Sequence, residues 1–473
     1  MEGAGSVRFH RTTYDRSAVK PGIVHLGYGA FHRAHQAVFL DDYMESSGDL
    51  NWGIVAVNLR APDAAGFAKA QSARDGYMLK STDTSGRCRW QLVRSHVGFV
   101  DWSRNPGEAE GILSSGSIHG VTLTVTESGY HLGDNGSLNL DDPVLRDEVS
   151  NGSGCTVYGF LARALGRRAK TVDAPVSILC CDNIRGNGRM LRSNFLVYLG
   201  HTGREWLRDW VENNVAFPCS MVDRITPRAT DELNLETRAL FPGTTLNPIH
   251  SEAFIQWVLE DRFAGPMPDL GQAGVQVVTD VDAYEEAKIR ILNGGHAGLA
   301  YLGALAGYST FDEAINDPVL RAHFDGWERK EVLPGLTVDL PFDKHAYLDE
   351  VTDRFRNTSI ADQLERICMD GWSKMPIYIR PTLASCLKQG ILPTYGFDCV
   401  AGWYVYARRH SVGKMPVHYI EPYWNLLEPY LAHGEEANFA RAPELWGDLP
   451  RKFTDFTPGI VSAINRMEKK WLA

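Results

Sequence analysis

The chain has 473 residues, of which 44% are hydrophobic, and a formal net charge of −10 at pH 7. At roughly 100–200 residues per domain, this length predicts two or three domains, and we expect two large ones. Because the acidic balance includes no block of like charges, nucleic acids and anionic membranes are not expected as partners, whereas a small metabolite is.

The cysteines and the N-terminus favour a reduced, cytoplasmic protein. Eight cysteines are scattered along the chain without a C-x-x-C pair, so neither a disulfide framework nor a zinc knuckle is expected. The first residues, MEGAGSVRFHRTTYDRS, contain no apolar signal region, and no apolar run approaches the ~18–20 residues needed to cross a bilayer. We therefore expect a cytoplasmic location and no membrane partner.

The N-terminal half alternates strand and helix patterns. The β-branched stretch Gly22–Leu26 leads through a Gly-containing turn into the apolar-periodic stretch Phe31–Met44, which predicts a strand, a turn and a helix. Further strands are predicted at Trp52–Leu59, Val121–Thr126 and Val176–Cys181. This alternation predicts an α/β fold with a Rossmann-like, doubly wound sheet of mainly parallel strands.

Beyond Val281 the sequence becomes mostly α-helical in character. Amphipathic stretches replace strand patterns at Tyr284–Leu305, Ala361–Ile367 and Arg380–Lys388. The segment Asp261–Gly274 is rich in glycine and proline, which makes it the candidate linker. We therefore predict a Rossmann-like domain over residues 1–275 and a mainly helical domain over residues 276–473.

A Gly-x-Gly turn follows the first predicted strand. Gly27 and Gly29 match the first two glycines of the dinucleotide-binding fingerprint, but His32 occupies the third position. The two glycines allow a tight turn and a close approach to a pyrophosphate, and the helix that follows offers free N–H groups. The turn therefore indicates either a dinucleotide site or simply a tight connection.

The end of the second predicted strand bears on the choice of nucleotide. An acidic residue there would normally grip the adenosine ribose, but the strand ends with Asn58, Leu59 and Arg60, and the first acid is Asp63. Arg60 could accept a 2′-phosphate, whereas Asp63 could repel one. NAD is favoured, and NADP remains the alternative.

Four polar residues share one face of the helix predicted at Tyr284–Leu305. With Lys288 at zero and ~100° per residue, Glu285 lies at about 60°, His296 at about 80° and Asn293 at about 140°. Apolar residues interleave with them, which predicts a buried helix whose polar side chains need partners or a function. The four residues therefore either line one wall of a cleft or form a satisfied interior network.

Oxidation of a secondary alcohol is one reaction that needs such residues. A base removes the hydroxyl proton, donors stabilise the charge that develops on the oxygen, and a hydride passes to nicotinamide. Lysine serves as a base when desolvation or neighbouring cations lower its pKa, and asparagine amides supply uncharged donors. Gly294 and Gly295 weaken the helix, which indicates either a close approach of backbone to cofactor or substrate, or a kink.

Four motifs follow one another along the chain: Ile23–Leu40 (IVHLGYGAFHRAHQAVFL), Asn183–Gly188, Phe217–Arg224 (FPCSMVDR), and the K-x4-N-x2-H pattern of Lys288, Asn293 and His296. In this order they resemble the long-chain mannitol dehydrogenase family, which contains polyol dehydrogenases and sugar-acid reductases. The resemblance extends over nearly the whole chain.

The resemblance implies a role for each residue of the catalytic set. Lys288 is expected to be the general base, and Asn293 with Asn183 is expected to form an oxyanion hole around the reacting oxygen. His296 would bind a substrate hydroxyl and orient Lys288, while Glu285 would gate the exit of the proton to solvent.

The same resemblance implies the cofactor residues and the absence of a metal. The turn around the phosphates and the position near the nicotinamide would be formed by Gly27, Gly29, Ala30, Phe31, Arg33 and Glu127. Members of the family use no metal, which agrees with the sequence, because His32 and His35 are three residues apart but have no third ligand nearby. We interpret both histidines as turn or cofactor-adjacent residues.

The resemblance also implies that Asp223 and Arg380 hold polyol hydroxyls, and Lys374 is a further candidate for substrate binding. The segment Asp370–Leu383 (DGWSKMPIYIRPTL) resembles the polyol branch of the family more than the uronate reductases. Because Arg380 and Lys374 could also bind a carboxylate, a fructuronate or tagaturonate reductase is the alternative. Among polyols, oxidation of D-mannitol to D-fructose and of D-arabinitol to D-xylulose remain equally open.

The expected protein is thus an NAD-dependent polyol dehydrogenase that transfers a hydride between NAD(H) and a secondary alcohol of a C5 or C6 sugar alcohol. A dinucleotide-sensing protein without catalysis is a further hypothesis, against which the intact catalytic set argues. A monomer or a weak homo-oligomer is expected.

Overall fold

The computed structural model describes residues 8–73, 75–133, 136–152, 156–242 and 247–471. Contacts divide them into two compact units, one ending at Asp282 and one beginning at Ala283, with residues 84–86 grouped with the second. This division lies close to the predicted one between residues 275 and 276. The segment Asp261–Gly274 belongs to the first unit, where Leu270 is buried in the core, so its prediction as the linker was wrong.

The strands of the first unit are, in chain order, β1 (Arg8–Arg11), β2 (Pro21–Leu26), β3 (Gly53–Asn58), β4 (Tyr77–Thr82), β5 (Cys88–Val93), β6 (His96–Asp101), β7 (Gly120–Leu123), β8 (Val176–Cys180), β9 (Val215–Ala216), β10 (Ser220–Asp223), β11 (Ile249–Glu252), β12 (Gln256–Glu260) and β13 (Gln276–Val278).

The central sheet of this unit has six parallel strands in the order β6-β3-β2-β7-β8-β9. The predicted strands correspond to β2, β3, β7 and β8. Adjacent residues point to opposite faces, and both faces are covered, because Ile23 packs in one hydrophobic cluster and Val24 in the other. The strand order reverses between β2 and β7, which is the place where doubly wound sheets bind their ligands. The predicted doubly wound Rossmann fold is confirmed.

The helices of the first unit are α1 (Ala30–Ala34), α2 (Gln36–Ser47), α3 (Ala64–Ser72), α4 (Pro106–Gly111), α5 (Pro143–Asn151), α6 (Val157–Thr171), α7 (Asn187–His201), α8 (Glu205–Asn214) and α9 (Asp231–Leu240). The helix predicted from Phe31 to Met44 is thus divided, because the backbone of His35 leaves the helical region at φ −124° and ψ −92°. Two smaller sheets, in the orders β1-β5-β4-β11 and β10-β12-β13, complete the unit.

The second unit is helical, as predicted. Its α-helices are α10 (Asp282–Ala287, beginning at the last residue of the first unit), α11 (Gly294–Leu305), α12 (Phe311–Asn316), α13 (Pro318–Trp327), α14 (Leu333–Gly335), α15 (Lys344–Phe355), α16 (Leu364–Ile367), α17 (Gly371–Lys374), α18 (Arg380–Lys388), α19 (Thr394–Ser411), α20 (Trp424–Leu427), α21 (Glu436–Phe439), α22 (Pro443–Trp446), α23 (Leu449–Lys452) and α24 (Phe456–Trp471).

Three π-helical segments interrupt this unit: Lys288–Asn293, Glu328–Val332 and Met375–Ile379. The first packs against the other two. The predicted helix Arg380–Lys388 is confirmed, whereas the one predicted at Ala361–Ile367 begins only at Leu364. None of the helices in the described ranges combines the length and apolarity that crossing a bilayer requires.

Candidate active site

The Gly-x-Gly turn lies at the point where the order of the central sheet reverses. Gly27 has φ 101°, and a Cβ there would lie 2.5 Å from the Thr124 carbonyl oxygen, so only glycine fits. A Cβ on Gly29 would meet no atom within 4 Å. The backbone between β2 and α1 is therefore tight on its inner side and open on its outer side, which fits a pyrophosphate.

The side chains that follow this turn pack within the first unit. The Phe31 ring stacks on that of His35 with centroids 4.9 Å apart. The Arg33 guanidinium donates to the Asn247 carbonyl oxygen at 3.2 Å and lies over the Tyr28 ring. Burial lowers the pKa of Arg33. Arg33 thus stabilises the shape of the turn, and its role toward a phosphate stays a prediction.

The end of β3 places Asn58 and Asp63 in different environments. The buried Asn58 amide donates to the Arg60 carbonyl oxygen at 2.9 Å and to an Asp101 carboxylate oxygen at 3.1 Å. Asp63 is exposed and lies 3.5 Å from the Arg60 guanidinium. Asn58 therefore fixes the course of the loop, while Arg60 and Asp63 offer one paired cation and anion to solvent.

The loop that carries Glu127 is held by a carboxylate that the sequence did not single out. Asp182 accepts the backbone N–H groups of Val125 and Thr126 at 3.0 and 3.1 Å, and the Tyr130 hydroxyl donates to it at 2.6 Å. Burial raises the pKa of Asp182 to about 6. Thr126 has φ 70°, which is strained for a β-branched residue. The loop after β7 is therefore held in an unfavourable conformation immediately before the exposed Glu127.

The residue after Asp182 is the predicted oxyanion-hole residue Asn183, which is exposed. Its loop is joined to β10, because the Asn187 amide donates to the Asp182 carbonyl at 3.1 Å and to the Ser220 carbonyl at 2.8 Å. The predicted substrate residue Asp223 is the last residue of β10 and is buried. The structure thus ties together the two segments that carry Asn183 and Asp223.

In the second unit, the predicted catalytic residues lie on the continuous helical stretch of α10, the first π segment and α11. The N–H of Gly294 bonds to the carbonyl of Ile289, five residues before it. In this wider turn, residues five apart lie close to one face, so Lys288 and Asn293 are nearer to each other than the predicted separation of about 140°. The expectation of a regular α-helix was wrong at this point, and π segments occur often at functional sites.

The side chains of Glu285 and Lys288 are 5% and 6% exposed. Asn293 is partly exposed, and its amide has no hydrogen-bond partner within the described ranges. The first π segment is fixed by Arg290, which donates to the Thr382 hydroxyl and to Glu286, each at 2.8 Å. This wall thus carries a buried lysine and an amide that is free to donate.

The two glycines after Asn293 admit neighbouring protein groups. A Cβ on Gly294 would lie 3.2 Å from the Tyr378 carbonyl oxygen, and a Cβ on Gly295 would lie 2.6 Å from a Glu328 carboxyl oxygen. Both neighbours belong to the other π segments. The glycines therefore permit close packing of the three π segments, and a close approach to cofactor or substrate is not needed to explain them.

His296 lies in an aromatic pocket. Its ring stacks on Phe355 at 5.0 Å between centroids and meets the edge of Phe311 at 4.3 Å. Its Nε2 lies 3.9 Å from a carboxylate oxygen of Asp362. Burial lowers the pKa of His296 to about 3. The imidazole is therefore neutral at working pH and can both donate and accept a hydrogen bond.

Of the predicted substrate residues in this unit, Lys374 lies near His296 and lowers its pKa. Lys374 donates to the Ile367 carbonyl at 2.8 Å. Arg380 instead donates to the Leu445 carbonyl at 3.1 Å and is not among the charged groups that act on His296. The structure thus brings Lys374, but not Arg380, to the histidine.

Arg366 is a charged neighbour of His296 that the sequence analysis missed. It pairs with Asp362, its Nε donating to one carboxylate oxygen at 2.8 Å, and it lowers the pKa of His296. The i, i+4 spacing of this pair was a signal, but an exposed pair looks the same. Among the described residues, no group of three or more histidine, cysteine, aspartate or glutamate side chains is arranged to hold a metal ion.

Comparison with known proteins places both units in the family that the sequence motifs resemble. A family model for the mannitol dehydrogenase Rossmann domain matches residues 21–272, and one for the mannitol dehydrogenase C-terminal domain matches residues 280–454. The mannitol 2-dehydrogenase of Pyrenophora tritici-repentis is 33% identical, covering 97% of this chain and 81% of the relative. The D-arabinitol 4-dehydrogenase of Klebsiella pneumoniae is 35% identical, covering 90% of this chain and 94% of the relative.

A solved structure agrees over almost the full length. The mannitol 2-dehydrogenase of Pseudomonas fluorescens, in a ternary complex with NAD and D-mannitol, matches with a TM-score of 0.88 and 29% identity, covering 99% of this chain and 95% of that one. Together with the two family models, this likeness shows that the protein is an oxidoreductase of the mannitol dehydrogenase family.

Proposed function

We propose that this protein is an NAD-dependent polyol dehydrogenase, which interconverts a secondary alcohol of a C5 or C6 sugar alcohol and the matching ketose. The observation that carries the proposal is the first π segment, where the buried Lys288 and the unpartnered amide of Asn293 lie five residues apart. This pair offers a base and a neutral donor on one rigid wall, which is what oxidation of an alcohol requires.

The first unit would hold the cofactor. The tight Gly27 and the open Gly29 fit a pyrophosphate, with Ala30, Phe31 and Arg33 completing the turn. Glu127, on the strained loop after β7, would lie near the nicotinamide. When bound, NAD supplies the two-electron acceptor for the alcohol carbon.

The choice of NAD over NADP is attributed to the paired Arg60 and Asp63. Asp63 lies 3.5 Å from the Arg60 guanidinium. A 2′-phosphate would have to displace this carboxylate and would be repelled by it, whereas a free ribose hydroxyl can hydrogen-bond to it.

Different catalytic residues accept the substrate proton and stabilise the negative charge on the oxygen. Lys288 takes the hydroxyl proton, and the amides of Asn293 and Asn183 donate to the oxygen as its negative charge grows. Neutral His296 bonds to a neighbouring substrate hydroxyl and orients Lys288. Glu285 passes the proton from Lys288 toward solvent.

Asp223 and Lys374 would hold the polyol chain, together with Arg366, which lies beside His296. The role of Arg380 in substrate binding stays a prediction, because its guanidinium donates to the Leu445 carbonyl and is not among the groups that act on His296.

Asp362 already pairs with the Arg366 guanidinium, so a carboxylate substrate would compete with Asp362 for it. Hydroxyl groups can bond to the pair without breaking it. This favours a polyol, whereas the presence of three cations beside His296 (Arg366, Lys374 and Arg354) keeps a uronate reductase as the second candidate.

A substrate panel tests the proposal. Initial rates are measured with NAD and NADP on D-mannitol, D-arabinitol and D-sorbitol, and in reverse with D-fructose, D-xylulose and D-fructuronate. We expect kcat/KM with NADH to be at least tenfold higher for one of the two ketoses than for D-fructuronate. The opposite ratio would identify a sugar-acid reductase, and dinucleotide binding without turnover would identify a non-catalytic sensor.

Two further parts of the proposal are checked on the same protein. The chemistry assigned to Lys288 needs no metal, so EDTA should leave the rate unchanged, and a loss that zinc restores would contradict the mechanism. We also propose a cytoplasmic location without a nucleic-acid partner. The protein is proposed to be a monomer or a weak homo-oligomer, and sedimentation measurements test this oligomeric state.

A further inference from the structure

The dinucleotide turn has a histidine where a third glycine usually stands. In the usual fingerprint, that glycine lets the helix pack closely on the first strand. Here His32, on α1, lies face to face with His25, on β2, with ring centroids 3.3 Å apart and planes 10° apart. Both side chains are fully buried. The contact between helix and strand is therefore made by two stacked rings.

His25 fixes the strand side of this stack. Its Nδ1 lies 2.7 Å from the Thr122 hydroxyl oxygen and its Nε2 lies 2.9 Å from that of Thr124. Both ring nitrogens thus bond to residues in or just after β7, across the point where the sheet order reverses. The carbonyl oxygen of Thr124 is also the atom that excludes a side chain at Gly27. His25 is thus linked to the turn through Thr124.

His32 fixes the helix side. Its Nε2 lies 3.0 Å from Nε2 of His96, on β6, and its Nδ1 lies 3.3 Å from the side-chain oxygen of Gln36, on α2. A bond between two imidazole nitrogens requires one donor and one acceptor.

The three histidines are held neutral. Burial lowers the pKa of His25 and of His32 well below the ordinary value, and that of His96 to about 3. The nearby guanidinium groups of Arg33 and Arg16 act in the same direction on His96. Neither of the two stacked rings therefore carries a positive charge, and the rings do not repel each other electrostatically.

We propose that His32 is a positioning residue for the cofactor, and that its stack on His25 sets the spacing between α1 and β2 that the third glycine sets elsewhere. The spacing in turn fixes the backbone of Gly27 and Gly29, which would hold the pyrophosphate. This inference rests on the proposed binding of NAD(H) at the turn.

The test compares two substitutions of one residue. His32→Leu removes the flat ring, whereas His32→Phe keeps a flat ring that can stack but loses the bonds to His96 and Gln36. We expect the Kd of NADH, measured by fluorescence titration without polyol, to rise at least tenfold in His32→Leu and less than threefold in His32→Phe. At saturating NAD, kcat and the KM for polyol should stay within twofold of wild type.

His250→Leu is the matched control. His250 is another histidine of the first unit, lies on β11, bonds to the Thr82 hydroxyl at 2.9 Å, and has its pKa lowered to about 4 by burial. We expect its replacement to lower the melting temperature of the cofactor-free protein without changing the Kd of NADH.

Three outcomes would overturn the inference. They are a Kd within twofold of wild type in His32→Leu, an equal rise in His250→Leu, and a rise in His32→Phe as large as that in His32→Leu. Should His32→Leu not fold, the Kd of His32→Phe decides, and a tenfold rise there refutes the role of stacking. A wild-type protein that binds neither NADH nor NADPH would instead refute the proposed function together with this inference.

Discussion

The Lys288 side chain is the group on which the proposed chemistry depends. It is 6% exposed and lies at the start of the first π segment. We expect Lys288→Ala to lower kcat by ~10²–10⁴-fold, because no other group of the π segment is proposed to take the hydroxyl proton. The Kd of NADH should stay within twofold, since the cofactor residues lie in the first unit. Single-turnover rates and fluorescence titration measure the two quantities.

Lys344→Ala is the control for this substitution. Lys344 is partly buried and donates to the Leu333 carbonyl at 2.8 Å, so its replacement removes a hydrogen-bonded lysine elsewhere in the second unit. Its kcat should remain near wild type. A Lys288→Ala protein with the kcat of Lys344→Ala would show that a different group is the base.

The residues that could be predicted from sequence are those whose chemistry shows in local spacing. Gly27 and Gly29 follow a strand pattern, and Lys288 is followed by Asn293 at a fixed distance along one predicted helix. Asp182 and Arg366 could not be found in this way, because their importance depends on which loop or ring packs against them. A carboxylate that holds two N–H groups from residues 125 and 126 has no local pattern.

At the level of elements, the close packing of the π segments requires a residue without a side chain at position 295, and this requirement can be tested. A Cβ at this position would lie 2.6 Å from a carboxyl oxygen of Glu328 and 2.9 Å from the Phe324 ring, and both side chains are buried. Overpacking of a buried site costs about 1–3 kcal/mol, which exceeds the gain of about 1 kcal/mol from replacing a helical glycine with alanine. We expect Gly295→Ala to lower both the urea midpoint and the kcat/KM for polyol.

Gly200→Ala provides the comparison. Gly200 lies in α7, and a Cβ there would meet no atom within 4 Å. This substitution should raise the urea midpoint, because only the propensity gain of up to about 1 kcal/mol remains. If both variants shift the midpoint in the same direction, close packing at Gly295 is not what requires the glycine.

The π segments are a feature of the helices that could not be predicted from the sequence. The amphipathic pattern at Tyr284–Leu305 located the helical stretch, but it assumed about 100° per residue throughout. A π turn inserts an extra residue into the hydrogen-bonding cycle without changing which residues are apolar. Its presence here depends on packing against Glu328–Val332 and Met375–Ile379, which are distant in sequence.

At the scale of the whole molecule, the sequence predicted an α/β part and a helical part, and the composition of each half carries this information. The linker could not be placed by composition, because the glycines and prolines of Asp261–Gly274 shape a loop that packs on the core of the first unit. Leu270 in this loop is 3% exposed. A Gly- and Pro-rich segment thus marks a turn, and its burial decides whether it also marks a boundary.

The described part of the molecule buries two opposing sets of titratable groups. Burial lowers the pKa of eight histidines, most strongly those of His25, His32, His96, His250 and His296. Burial also raises the pKa of several carboxyl groups, among them Asp41, Glu148, Asp182, Glu328 and Glu331. Each group changes stability by up to about 1.4 kcal/mol per pH unit within its window.

The two sets act in opposite directions between pH 4 and 6.5. As the pH falls, each histidine binds a proton in the unfolded chain at a higher pH than in the folded protein. The folded state therefore keeps its full stability with respect to these histidines above about pH 6.5 and loses stability as the pH falls below it. Each carboxyl group keeps its proton longer in the folded protein, so its stabilisation is present below about pH 4 and is lost as the pH rises toward its folded pKa, about 6 for Asp182 and about 7 for Asp41.

Below about pH 4 the buried carboxyl groups are protonated in both states and no longer offset the histidines, while carboxyl groups whose pKa is lowered by hydrogen bonds, such as Asp142 and Asp317, lose their stabilisation as well. We therefore expect the urea midpoint at constant ionic strength to change little between pH 5 and 6.5 and to fall steeply below pH 4. The difference between wild type and His250→Leu should shrink as the pH falls from 7 to 5, since the variant lacks one histidine that favours the unfolded state. A midpoint that falls steadily from pH 6.5 to 5 would mean that the buried carboxyl groups do not offset the histidines.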